Sequence, residues 1–200
     1  MCGIIGYTGY TDARGKLIKG LKTLEYRGYD SAGIAVFNDT LNEVIVAKCE
    51  GRVERLDEKS KDIKGNTGIG HTRWATHGGV SDSNSHPHKF GNVTLVHNGI
   101  IENYASIKNQ LGIAGKLKSQ TDSEVVAALI DNYYHIGSDP REAIIKAVKE
   151  IKGTFALGIM FDDIPDVIYA VRNVSPIVCC VNDDGAYIAS DITAIGEYSK

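Results

Sequence analysis

Cys2 is the residue best suited to start a reaction. It follows Met1 and opens the run Cys2-Gly3-Ile4-Ile5-Gly6. Loss of Met1 would leave one residue carrying both a thiol and a free α-amine. A thiolate is a strong nucleophile, and an α-amine has an ordinary pKa of about 7.7–8.0. Nucleophile and proton acceptor can then share one residue, as in N-terminal nucleophile catalysis. Gly3 and Gly6 would let backbone and substrate approach closely. The competing reading is an ordinary small residue at a strand end.

Five further segments carry polar chemistry. His71-Thr72-Arg73-Trp74-Ala75-Thr76-His77-Gly78 is the densest. Arg73 offers a planar fork of donors for a carboxylate, and Thr76 and His77 could add hydrogen bonds. Trp74, the only tryptophan, could cap a pocket. In His97-Asn98-Gly99, the Asn98 amide and the Gly99 N–H could stabilise an oxyanion, although Asn-Gly is also a common tight-turn dipeptide. Asp122 could hold an ammonium group or simply favour a helix start. Arg27, at a helix end before a Gly-rich turn, could face the nucleophile. His86-Pro87-His88 lacks a nearby Cys or carboxylate cluster and gives little metal signal. Together these groups suit hydrolysis of an amide on a small amino acid. Glutamine has the matching α-carboxylate, α-ammonium and carboxamide.

These residues need elements to hold them. Apolar spacing at Ala13, Leu17, Leu21 and Leu24 predicts a helix over residues 12–27. Strands are expected over 33–37 and 43–48 around an Asn38-Asp39 turn, a charged helix over 52–61 and a short strand over 67–71. Residues 75–92 read as one long loop, a length often functional. A strand over 93–97 should end at Asn98-Gly99, and a helix should cover 103–111. Thr121-Asp122-Ser123-Glu124 has the form of a capping box, and Pro140 suits the first turn of the next helix. Strands are expected over 154–161, 166–171, 176–181 and 186–190. The run Ile177-Val178-Cys179-Cys180-Val181 is apolar throughout, which predicts burial on both faces. Strands, central helices, then strands favour antiparallel sheets packed with helices, an α+β class.

The chain has 200 residues, 42% of them hydrophobic, enough for one domain with a real core. A net charge of −3 gives no nucleic-acid signature. No apolar run approaches the length of about 20 residues needed to span a bilayer, and polar residues 8–14 break any signal-peptide core. A cytoplasmic protein is the expectation. The four cysteines, Cys2, Cys49, Cys179 and Cys180, show no CxxC spacing, so no disulfide framework is expected.

The runs Cys2–Gly6, EYRGYDSAG (25–33), HTRWATHG (71–78), HNGIIEN (97–103) and TDSE (121–124) closely resemble the glutaminase domains of glucosamine-6-phosphate synthases. That family is also called glutamine–fructose-6-phosphate aminotransferase (isomerizing). The likeness runs to residues 189–191, and the second and third runs favour this family over purine amidotransferases and asparagine synthetases. It implies a class II glutamine amidotransferase domain with the N-terminal nucleophile hydrolase fold, a four-layer αββα sandwich. It implies Cys2 as nucleophile with its α-amine as base, and Asn98 and Gly99 as the oxyanion hole. Arg73, Thr76 and His77 would bind the glutamine carboxylate, Asp122 its amine, and Trp74 would help gate ammonia. No cofactor or metal is implied. The expected partners are L-glutamine and an isomerase domain with fructose 6-phosphate, in an enzyme that is homodimeric when complete. Residues 1–200 would be the glutaminase domain, short of its last strands and without the isomerase domain. Two other readings remain at this point: a Cys-His hydrolase using His71 or His97 as base, and a non-catalytic glutamine-binding domain.

Overall fold

Helix α1 (Ala13–Leu24) begins where Asp12 accepts a hydrogen bond from Gly15 N at 2.8 Å, a cap worth about 1 kcal/mol. Its buried residues, Leu17, Leu21 and Leu24 among them, repeat at helical spacing. A 3-10 turn over Glu25–Arg27 follows directly. The structure is a computed structural model and describes residues 2–74 and 79–198.

One sheet holds β1 (Gly3–Gly9), β2 (Ser31–Asn38), β3 (Glu43–Glu50), β4 (Thr67–Arg73), β9 (Val178–Asn182) and β10 (Gly185–Ala189). Its order is β3-β2-β4-β1-β10-β9. The other holds β5 (His88–Phe90), β6 (Val93–Ile101), β7 (Gly153–Phe161) and β8 (Ile164–Asn173), in that order. Every neighbouring pair is antiparallel. Helices α1 and α2 (Val53–Lys59) cover the six-stranded sheet through Leu17, Leu21, Leu24 and Leu56 against Ile5, Tyr7 and Ile34. Helices α3 (Tyr104–Leu111), α4 (Asp122–His135) and α5 (Pro140–Glu150) cover the other through Ile107, Val126, Leu129 and Ala147 against Leu95, Leu157 and Phe161. Between the sheets, Ile4, Phe37 and Ile69 meet Val96, Ala156 and Met160. Strand residues alternate faces, so Ile4 and Ile5, or Leu95 and Val96, feed two different cores. The result is the αββα sandwich that the resemblance implied.

Three sequence expectations need correction. Strand β6 does not stop at His97; it runs through Asn98-Gly99 to Ile101, with Asn98 opposite Ala156 and Gly99 opposite Phe155. Pairing to β7 excludes a tight turn there. The segment expected to be one long loop contains β5, and Asn84, Ser85, His86 and His88 are buried. Gly33 permits this approach: a Cβ there would lie 2.1 Å from the His86 carbonyl oxygen. Finally, β9 is not buried on both faces. It is an edge strand with Val178 and Val181 exposed, because its outer side has no neighbour among the described residues. The α4 start keeps half of the capping box. Thr121 Oγ1 accepts from Glu124 N, while the Glu124 carboxylate accepts from Lys118 N and Ser119 N instead.

No helix among the described residues is long and apolar enough to cross a membrane.

Candidate active site

The sheet registers bring the start of β1, the end of β4 and the C-terminal half of β6 to one end of the sandwich. Gly3 pairs with Thr72, and Ser31 of β2 pairs with Arg73. Across the inter-sheet core, Asn98 Nδ2 donates to the Cys2 carbonyl at 3.1 Å. The Cys2 sulfur accepts from Trp74 N at 3.3 Å. From the other side Arg27 Nε donates to the same Cys2 carbonyl at 3.3 Å, and its Nη1 pairs with Asp191 Oδ2 at 2.8 Å. Tyr26 also donates to Asp191 Oδ2. Residue 2 is therefore held by β4, β6 and the 3-10 turn together. Burial pushes the Cys2 thiol pKa up, and the Trp74 N–H opposes that rise. A raised thiol pKa makes a proton acceptor necessary for attack near neutral pH.

Cys2, Trp74 and Gly99 lie between two cavities. One, of 40 Å³, is lined also by Arg73, His86, His97, Thr121, Asp122 and Ser123. The other, of 310 Å³, adds Arg27, Asn98, Ile100, Thr154, Ser175 and Pro176. Arg73 is buried, not a surface arginine, and donates to the Gly79 carbonyl at 3.3 Å. Asp122 opens α4, and its Oδ2 accepts from Ile101 N at 2.8 Å. That bond fixes the carboxylate beside β6. Trp74 is 48% exposed and meets Tyr29 edge-on at 5.5 Å. Gly99 sits at φ +136°, a region that favours glycine, and a Cβ there would fall 1.9 Å from the Thr154 carbonyl oxygen. Only glycine fits this turn of the strand.

Four buried histidines back the site. His71 Nε2 lies 3.0 Å from Asn98 Oδ1 and 3.0 Å from the His97 carbonyl. Its ring stacks on His86 at 4.1 Å, and His86 meets His88 edge-on. His97 Nδ1 is 2.9 Å from Ser123 Oγ, which also donates to Asp122 Oδ1 at 3.2 Å. Burial drives the His71 pKa down to about 3 and lowers those of His86, His88 and His97. These imidazoles are neutral at pH 7. Among the described residues, neither His71 nor His97 hydrogen-bonds the Cys2 sulfur, which weighs against a Cys-His pair. No group of three or more His, Cys, Asp or Glu among the described residues is placed to hold a metal.

The structure thus brings together Cys2, Arg27, Arg73, Trp74, Asn98, Gly99 and Asp122. Thr76 and His77 lie outside the described residues. Sequence reasoning missed Asp191 and Ser123. Asp191 pairs with Arg27 across 164 positions, a distance at which no local pattern can flag it. Ser123 was visible only inside the TDSE run, as part of a helix cap and of the family resemblance and not as a site residue.

The αββα sandwich with Cys2 at its mouth has the fold of the N-terminal nucleophile amidotransferases. The solved glutamine phosphoribosylpyrophosphate amidotransferase from B. subtilis superposes with a TM-score of 0.82, at 26% identity over 98% of this chain and 43% of that one. Residues 71–197 match the glutamine amidotransferase domain model, and the chain belongs to that family. Among curated proteins, it is 47% identical, over all of its length, to glutamine–fructose-6-phosphate aminotransferase (isomerizing) from Clostridium acetobutylicum. It is 48% identical to the protein of that name from Thermococcus kodakarensis. The chain covers 33% and 34% of those two relatives, about a third of each.

Proposed function

We propose that this chain hydrolyses L-glutamine to glutamate and ammonia through a γ-glutamyl thioester on Cys2. The carrying observation is the convergence of Asn98 Nδ2 on residue 2, in a site whose neighbouring cavity ends at Asp122 and Arg73. With Met1 removed, the Cys2 α-amine takes the thiol proton and the sulfur attacks the glutamine carboxamide carbon. Asn98 and Gly99 receive the developing oxyanion, an interaction worth about 3–4 kcal/mol per donor in comparable sites. The protonated amine then gives its proton to the carboxamide nitrogen, the C–N bond breaks and ammonia leaves, and water cleaves the thioester. Arg73, with Thr76 and His77, holds the α-carboxylate; Asp122 holds the α-ammonium. Arg27 keeps the Cys2 carbonyl fixed.

The ammonia would leave past Trp74 through the larger cavity. Its destination, by likeness to the fructose-6-phosphate aminotransferases, is fructose 6-phosphate in an isomerase domain. Residues 1–200 act in this reading as the glutaminase part of a longer cytoplasmic, homodimeric enzyme. A glutamine analogue with an electrophilic side chain tests the central step by adding one label at Cys2. A folded, Met1-free chain that takes no label there contradicts it.

A further inference from the structure

An asparagine amide is useful to an oxyanion only if its NH2 faces the reaction. The side chain is nearly symmetric in shape, so something must choose between its two orientations. On one side Asn98 meets the Cys2 carbonyl, which can only accept. On the other it meets His71 Nε2, which also lies 3.0 Å from the His97 carbonyl, a second pure acceptor. A lone pair on Nε2 would oppose that carbonyl. Nε2 therefore carries the proton, shared between the His97 carbonyl and Asn98 Oδ1. Nδ1 then carries the lone pair, and it has no hydrogen-bond partner in the buried site. A second proton there would find no acceptor, which keeps the ring a one-proton donor. The stack on His86, with ring planes at 21°, holds the plane of His71.

We infer that His71 is a positioning residue for Asn98: its Nε2–H holds the amide oxygen and so turns the amide NH2 toward Cys2. Flipped, the amide would set its oxygen against the Cys2 carbonyl and lose the oxyanion donor. The His97 carbonyl chooses the tautomer, and the tautomer chooses the amide orientation. His71 touches no reacting atom in this scheme; its effect runs wholly through Asn98. The inference rests on the glutaminase reading above.

The test compares His71→Leu, which removes the donor, with His71→Gln, whose amide nitrogen can reach the place of Nε2. Both are made in the full chain with Met1 removed, and folding is checked by circular dichroism. Removing an oxyanion donor outright costs about 100- to 1,000-fold in turnover, so misdirecting one in H71L should cost about 10- to 100-fold in kcat. KM should stay within about threefold, since the α-carboxylate and α-ammonium contacts are untouched. H71Q should recover most of the loss. Alkylation of Cys2 by iodoacetamide, which needs no oxyanion hole, should proceed at the wild-type rate in both. In an Asn98→Ala background, H71L should cost little more, because the two residues act as one unit. Full additivity, or equal loss in folded H71L and H71Q, would overturn the inference. If H71L does not fold, His71→Asn replaces it, its amide one methylene short of Asn98, with the same outcomes deciding. Wild-type protein that releases no glutamate would instead count against the glutaminase reading, not against this orientation.

Discussion

Strands β6 and β9 are both rich in apolar residues, yet they stand in opposite situations. β6 lies between β5 and β7 in its sheet, under α4, with Val93 to Asn98 buried. β9 closes the other sheet with one neighbour, and Val181 is 78% exposed. β5 pairs only with Val93–Leu95, so at Asn98 and Gly99 it is the β7 pairing, with the contacts of Asn98 to Cys2 and His71, that keeps a glycine at φ +136° and an asparagine aimed across the core. Such conformations persist only where the surroundings over-determine them. An edge strand has no such support, and β9 carries none of the site residues. The catalytic candidates sit where packing can hold unfavourable local geometry.

The largest break in that contrast is expected at Gly99. In Gly99→Ala the new methyl meets the Thr154 carbonyl in a backbone region that alanine avoids. The cost should be at least about 3 kcal/mol, from backbone strain and overpacking together. Urea unfolding should show it as a lower midpoint, with glutamine hydrolysis lost. A variant of wild-type stability would mean that β6 is not held as described.

Acid should weaken the β6 side next. His97 lies on this strand with His71, His86 and His88 beside it, and burial lowers all four pKa values. β9 has no titrating imidazole. In the unfolded chain each histidine takes up a proton near pH 6.5, while the native protein excludes it. Stability is thus fully present above about pH 6.5 and falls as pH drops below it, by up to about 1.4 kcal/mol per unit for each histidine kept neutral. Urea midpoints at pH 7.5 and pH 5 should differ clearly. The lowered carboxylates, such as Asp191 at about 2, act in a separate and more acidic window. Equal midpoints would contradict burial of the imidazoles.

At the small end, Val181→Lys on β9 should change stability by no more than about 0.5 kcal/mol. The same urea measurement checks it. A loss above about 1.5 kcal/mol would show that this edge is covered.

The sequence made the helices legible because caps and 3.6-residue spacing are local. Asp12, Thr121 and Asp139 each cap the helix they precede. Position within a sheet was not legible. Asn98-Gly99 has turn chemistry, and only pairing with Ala156 and Phe155 makes it strand. Val178–Val181 has core chemistry, yet its place at the sheet edge, with no further strand beside it among the described residues, leaves Val178 and Val181 exposed. Among the site residues, Cys2, Arg73, Asn98 and Asp122 stood out by type and motif. Asp191 and the orienting contact of His71 did not, because each depends on a partner brought close by tertiary folding.

The most direct test sets Cys2 against Cys179, the most exposed of the three thiols that are not buried. Cys179, on β9, is exposed, while Cys2 is partly buried. A simple alkylating reagent has every reason to reach Cys179. A diazoketone analogue of glutamine, in contrast, should add once, at Cys2, in the Met1-free chain, with peptide mass spectrometry locating the adduct. Excess L-glutamine should slow that labelling. An adduct on Cys179, or none on Cys2 in the folded and processed protein, would contradict Cys2 as the nucleophile.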